Sequence, residues 1–69
     1  MRSPTPAEVI AARKQAGLTQ EQSAALIYKD VSAGRRWETD KSKSSARDMD
    51  PALFELFMIK TGQDIKNVI

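Results

Sequence analysis

Apolar and polar positions follow one another along this chain at helical spacing rather than in strand-like alternation. Val9, Ile10, Arg13 and Ala16 recur at the steps of three and four that bring side chains onto one helix face. Ahead of them, Thr5, Pro6 at the first helical position and Glu8 three residues after the threonine form a capping box, in which hydroxyl and carboxylate each satisfy an orphan backbone donor. Gly17 can take the left-handed conformation that ends a helix. A first helix is therefore predicted from about Pro6 to Ala16. Thr19 and Gln22 repeat the capping arithmetic, and Gln20 to Ile27, rich in Ala, Gln and Leu, predicts a short second helix whose Ala24 and Ala25 permit close backbone approach.

Tyr28, Lys29 and Asp30 read as a turn, with Asp30 capping a third helix over Val31 to Glu38. From Thr39 to Met49 the chain is polar and Ser-rich, which predicts a loop with room for one helical turn near Ser45 to Asp48. Asp50 and Pro51 then open a last helix, Pro51 to Lys60, stopped at Thr61 and Gly62. This helix is apolar on more than one side. Leu53 with Phe57, and Phe54 with Met58, define two neighbouring stripes, and one of them is expected to close the core. The other, extended by Ile65, Val68 and Ile69, is a candidate homodimer contact made through Phe54 and Met58; the alternative is a tail folded back over its own helix.

With 69 residues there is one hydrophobic core to build, so the whole chain reads as a single all-α domain. An apolar share of 41% beside 29% charged residues is a globular mixture. The absence of cysteine and histidine removes disulfides, thiolate and imidazole chemistry and the usual zinc ligand sets, so neither metal nor cofactor is expected. Lys, Asp and Glu remain for acid and base chemistry, but no spacing gathers them into a pocket, which argues against an enzyme. No stretch approaches the roughly 20 apolar residues of a membrane span, and a soluble cytoplasmic protein is expected.

A formal charge of +2 says little about partners. Its distribution says more, because Arg35, Arg36, Lys41, Lys43 and Arg47 lie close together and are only partly offset by Glu38, Asp40, Asp48 and Asp50. Two short helices joined by a three-residue turn, the second ending in a basic and aromatic cluster, form the arrangement that offers a helix to the DNA major groove. On such a helix Val31 can meet a thymine methyl, Ser32 a base edge, and Arg35 or Arg36 guanine O6 and N7 or a phosphate. Trp37 reads first as a core residue, with stacking on a base as the alternative. Arg13 and Glu38, far apart in sequence, can meet as a structural ion pair between the first and third helices.

The segment AGLTQEQSAALIYKDVSAGRRWE, Ala16 to Glu38, resembles the Cro and CI repressor family of helix-turn-helix regulators, the xenobiotic response element family: the LTQ opening, Ala24 and the closing RWE fall at its spacing without a gap. MDPALFELFMIKTG, Met49 to Gly62, looks like the last helix of short phage-type members, and the two blocks together cover about half of the chain. The resemblance implies a lambda-repressor-like fold of four to five short helices. It also implies a DNA face in which Thr19 and Gln20 at the start of the second helix approach a phosphate, Val31 and Ser32 face base edges, and Arg35 and Arg36 reach bases or phosphates. Arg13 and Glu38 correspond to the family's buried ion pair. Tyr28 stands where the family has a turn glycine, Lys29 where it has an apolar residue, and Gly34 where it has a core residue of the recognition helix. Lys41 and Lys43 join the candidate DNA contacts on charge alone.

These readings predict a sequence-specific regulator, acting as a homodimer on a palindromic operator and most simply as a repressor in a phage or mobile element, with anti-CRISPR-associated regulators among the implied relatives. The competing expectation is a protein-interaction module, antitoxin-like or adaptor, whose binding surface is the apolar last helix.

Overall fold

The computed structural model of the chain describes residues 2–63. Among them the elements are four helices without a strand: α1 Pro6–Gln15, α2 Gln20–Leu26, α3 Val31–Glu38 and α4 Pro51–Lys60. Each starts where the capping chemistry places it. The Thr5 hydroxyl accepts from the Glu8 amide at 3.2 Å while Glu8 accepts from the Thr5 amide at 2.8 Å, and Thr19 with Gln22 closes the same reciprocal pair at 3.1 and 3.0 Å. Asp30 accepts from the Ala33 amide and Asp50 from the Ala52 amide, each at 2.9 Å. Glu8 is further held by Arg2, whose two guanidinium nitrogens donate to its two oxygens at 2.6 Å. Those bonds, more than the Thr5 amide, hold its carboxyl at a pKa of about 2.

The helix ends fall one residue short of the predicted ones, because Ala16 and Ile27 serve as C-caps. The loop differs more. No helical turn forms at Ser45 to Asp48; instead two turns follow one another, closed by Lys43 N–H to Asp40 O at 2.9 Å and Ala46 N–H to Lys43 O at 3.1 Å. A run without apolar periodicity leaves the backbone to local side-chain acceptors, here the Asp40 carboxylate taking the Ser42 amide at 2.9 Å. Arg47 N–H then donates to Arg36 O at 3.2 Å and ties the loop to the last turn of α3.

The core gathers Val9 and Ala12 from α1, Ile27 from the end of α2, Met49 from the loop and Phe54, Phe57 and Met58 from α4, with Leu18, Trp37, Leu53 and Leu56 packed on its margin. Trp37 is thus a core-margin residue. The dimer assignment of Phe54 and Met58 is corrected: they are 1% and 0% exposed, so their stripe of α4 is buried within one chain, with Phe57 buried beside it and Leu53 half-buried. The physical reason is the position of α4 in the core, where Ile27, Val9 and the buried Met49 surround it and one helix fills the space on two sides. Ile65, Val68 and Ile69 lie outside the described residues.

The α2–α3 turn carries backbone strain. Tyr28 has φ +64°, the left-handed region in which a side-chain-bearing residue sits at a cost of about 1 kcal/mol. Its ring lies under Lys60, with Nζ 4.2 Å from the centroid; the same ammonium donates to the Tyr28 hydroxyl at 2.9 Å and to Leu26 O at 3.0 Å. The hydrogen bond from Lys60 lowers the phenol's pKa. Tyr28→Gly removes both the strain and the Lys60 contact, whereas Tyr28→Ala removes only the contact. In thermal unfolding the glycine variant is therefore expected to be the more stable of the two by about 1 kcal/mol; equal midpoints would contradict the strain.

Candidate nucleic-acid interface

α3 is held from behind at two places. Gly34 is buried against α2, where a Cβ would stand 3.3 Å from Gln20 O and 3.5 Å from the Ala24 Cβ. A Cβ there would ask Gln20 O to give by a few tenths of an ångström, and a longer side chain by more, so the glycine that costs α3 helix propensity suits the close crossing. At the C-terminal end Glu38 receives Arg13 Nε at 2.8 Å and Nη2 at 3.0 Å, a two-pronged contact, and Gln20 Nε2 at 3.2 Å. Arg13 Nη1 also donates to Leu18 O at 3.1 Å. The Glu38 side chain is 5% exposed and that of Arg13 17%, and the carboxylate's hydrogen bonds raise the arginine further above its ordinary pKa. Beneath this crossing lies a small, partly open space of about 10 Å³, the size of a single water molecule.

With its back fixed, α3 turns Ser32, Arg35 and Arg36 to solvent and keeps Val31 half-buried at its first turn. Among the described residues neither Arg35 nor Arg36 is paired with a carboxylate. Thr19 is exposed at the start of α2, its hydroxyl engaged as the cap. Gln20 is half-buried, and its side-chain amide is the third partner of the Arg13–Glu38 pair. That link was not read from the sequence, where Gln20 and Glu38 carry no spacing signal.

The remaining cations divide. An open groove of about 360 Å³ runs between α3 and the loop behind it, with Lys29, Ala33 and Arg36 on one side, Arg47, Asp48 and Asp50 on the other, and Trp37 and Leu53 lining it. Lys41 and Lys43 do not line this groove; Lys41 meets Asp48 at 3.6 Å and Lys43 is exposed on the loop. Arg47 and Lys29 therefore share a groove with Arg36 of α3, and the two lysines singled out by charge do not. The backbone bond from Arg47 to Arg36 that brings the loop back has no sequence signature.

No helix among the described residues is long and apolar enough to cross a membrane. In comparison with known proteins, the chain matches no family model and no curated protein.

Proposed function

We propose that the chain is a helix-turn-helix regulator of the Cro and CI type that binds double-stranded DNA in a sequence-dependent way, with α3 entering the major groove. The observation that carries this reading is the division of α3 into a back locked by Gly34, Glu38 and Trp37 and a front of solvent-facing Ser32, Arg35 and Arg36. A locked helix keeps its reading side chains in one register on the duplex, which base recognition requires. Contacts to phosphates from the start of α2 and from the loop set affinity, and Val31, Ser32 and the arginines set preference. A module of this size gains specificity by pairing on a palindromic operator, with half-sites about one helical turn apart, as a cytoplasmic repressor would.

The adaptor reading loses support, because the apolar surface of α4 on which it rested is occupied by the chain's own core; among the described residues only Tyr28 and Ile59 are large apolar side chains in the open. Titration of mixed-sequence duplex at two salt concentrations tests the proposal directly. Salt-sensitive binding is expected, and absence of binding at low salt would overturn it. On an operator selected from random duplexes, Arg36→Ala is expected to weaken binding by about 1 to 3 kcal/mol and to relax preference at one base pair. An unchanged isotherm on the operator would remove Arg36 from the interface.

A further inference from the structure

The groove beside α3 is walled by side chains from three separate parts of the chain: Lys29 in the α2–α3 turn, Arg36 and Trp37 on α3, and Arg47 at the end of the loop. Its three cations outnumber its two carboxylates, Asp48 and Asp50, each of which also has a partner outside the groove. Asp50 caps α4 through the Ala52 amide at 2.9 Å, and Asp48 faces Lys41 at 3.6 Å. Arg47 is held in place before any ligand arrives: its backbone N–H is bonded to Arg36 O, and its Nη1 donates to Ser44 O at 2.8 Å and Ala46 O at 2.7 Å. Those bonds occupy one guanidinium nitrogen and leave Nε and Nη2 for an anion. An indole and a leucine line the groove between the cations. The trough is open along α3 rather than enclosed, a shape that suits a strand passing through more than a small molecule that must be buried to bind.

From this we infer that the groove seats one sugar–phosphate strand of the DNA duplex, with Lys29 and Arg47 as the phosphate ligands flanking Arg36. The inference rests on the DNA-binding reading above and sharpens it, since it moves the anchoring cations from Lys41 and Lys43 to Lys29 and Arg47. Phosphates meet the ammonium and the guanidinium, and the deoxyribose between them covers Trp37 and Leu53. Arg36 at the groove's edge then projects toward the bases of the strand so held. Because phosphate contacts are indifferent to sequence, loss of either cation weakens all duplexes alike.

The test is a salt series of binding isotherms on a mixed-sequence duplex, made with the wild-type chain and with Lys29→Ala, Arg47→Ala and Arg47→Gln, each shown by circular dichroism to keep its helices. The slope of log K against log salt is expected to fall by about 0.9 for each single variant, and by about twice that for Lys29→Ala combined with Arg47→Ala, with weaker binding at every salt concentration. Lys14→Ala removes an exposed cation of α1 that does not line the groove and is expected to leave the slope unchanged. Unaltered slopes in the groove variants, beside a wild type that binds, would overturn the groove assignment and leave the regulator reading standing. An equal fall in Lys14→Ala would overturn it too, as an effect of total charge. A wild type that binds no duplex would instead overturn the regulator reading, and this inference with it.

Discussion

Replacing Phe54 with alanine is expected to lower the stability of the chain by about 3 to 5 kcal/mol, read as a fall in the urea midpoint at unchanged slope. The ring is 1% exposed in the middle of the cluster formed by α1, the end of α2 and α4, so its removal opens a cavity that close-packed neighbours cannot fully close. A domain of this length has a total stability toward the low end of the usual range of roughly 5 to 15 kcal/mol, so a loss of that size leaves a large unfolded population at room temperature. The same reasoning applies to Phe54→Glu, which places a carboxylate in the core and is expected to abolish folding rather than to release a dimer. A Phe54→Ala chain that unfolds at the wild-type midpoint would show that the ring is a surface group after all.

Glu38→Ala is expected to cost about 3 kcal/mol, again measured by denaturation. The carboxylate is the common acceptor for Arg13 on α1 and Gln20 on α2, and its loss leaves a guanidinium with restricted access to water and only Leu18 O as partner. Glu38→Gln keeps one acceptor oxygen and is expected to lose less. Replacing Arg13 and Glu38 together by apolar residues of similar size is expected to recover part of the loss, because a stripped buried charge costs more than an absent pair. Additive losses in the double variant would mean that the two side chains do not act as a unit. Since Glu38 ends α3, the single variant also tests the proposed function: if α3 reads bases, preference among duplexes is expected to weaken as α3 is released.

Much of the helix layout was legible in the sequence for a local reason. Capping chemistry is written in adjacent letters: Thr5 with Glu8, Thr19 with Gln22, Asp30 alone and Asp50 before Pro51 each name a helix start, and all four stand as read. The Arg13–Glu38 contact was legible as well, although α2 lies between its two helices, because the resemblance of Ala16 to Glu38 to the repressor family implies an ion pair at these two positions. What could not be read was whatever depends on how elements meet. The apolar residues on two sides of α4 say that the helix is surrounded but not by what, so Phe54 and Met58 were assigned to a second chain when the first one buries them. Gly34 announces a helix-propensity penalty, whereas the gain that offsets it, close approach to Gln20 and Ala24, exists only across the helix crossing. The loop from Thr39 to Met49 carries no periodic signal, and the return of Arg47 to α3 depends on a backbone hydrogen bond that any residue but proline could make.

The late position of α4 in the chain has a consequence for biosynthesis. Two of the largest fully buried side chains, Phe54 and Met58, belong to it, and so does Phe57. A ribosome-bound chain that has released only α1 to α3 holds the complete helix-turn-helix and the Arg13–Glu38 pair, yet lacks the apolar mass that makes those helices hold together. Short helices without tertiary cover are marginal in water, so α3 acquires a fixed orientation only after α4 has cleared the exit tunnel. A nascent chain that has emerged only as far as the loop before Pro51 thus carries Ser32, Arg35 and Arg36 without the rigid scaffold that orients them.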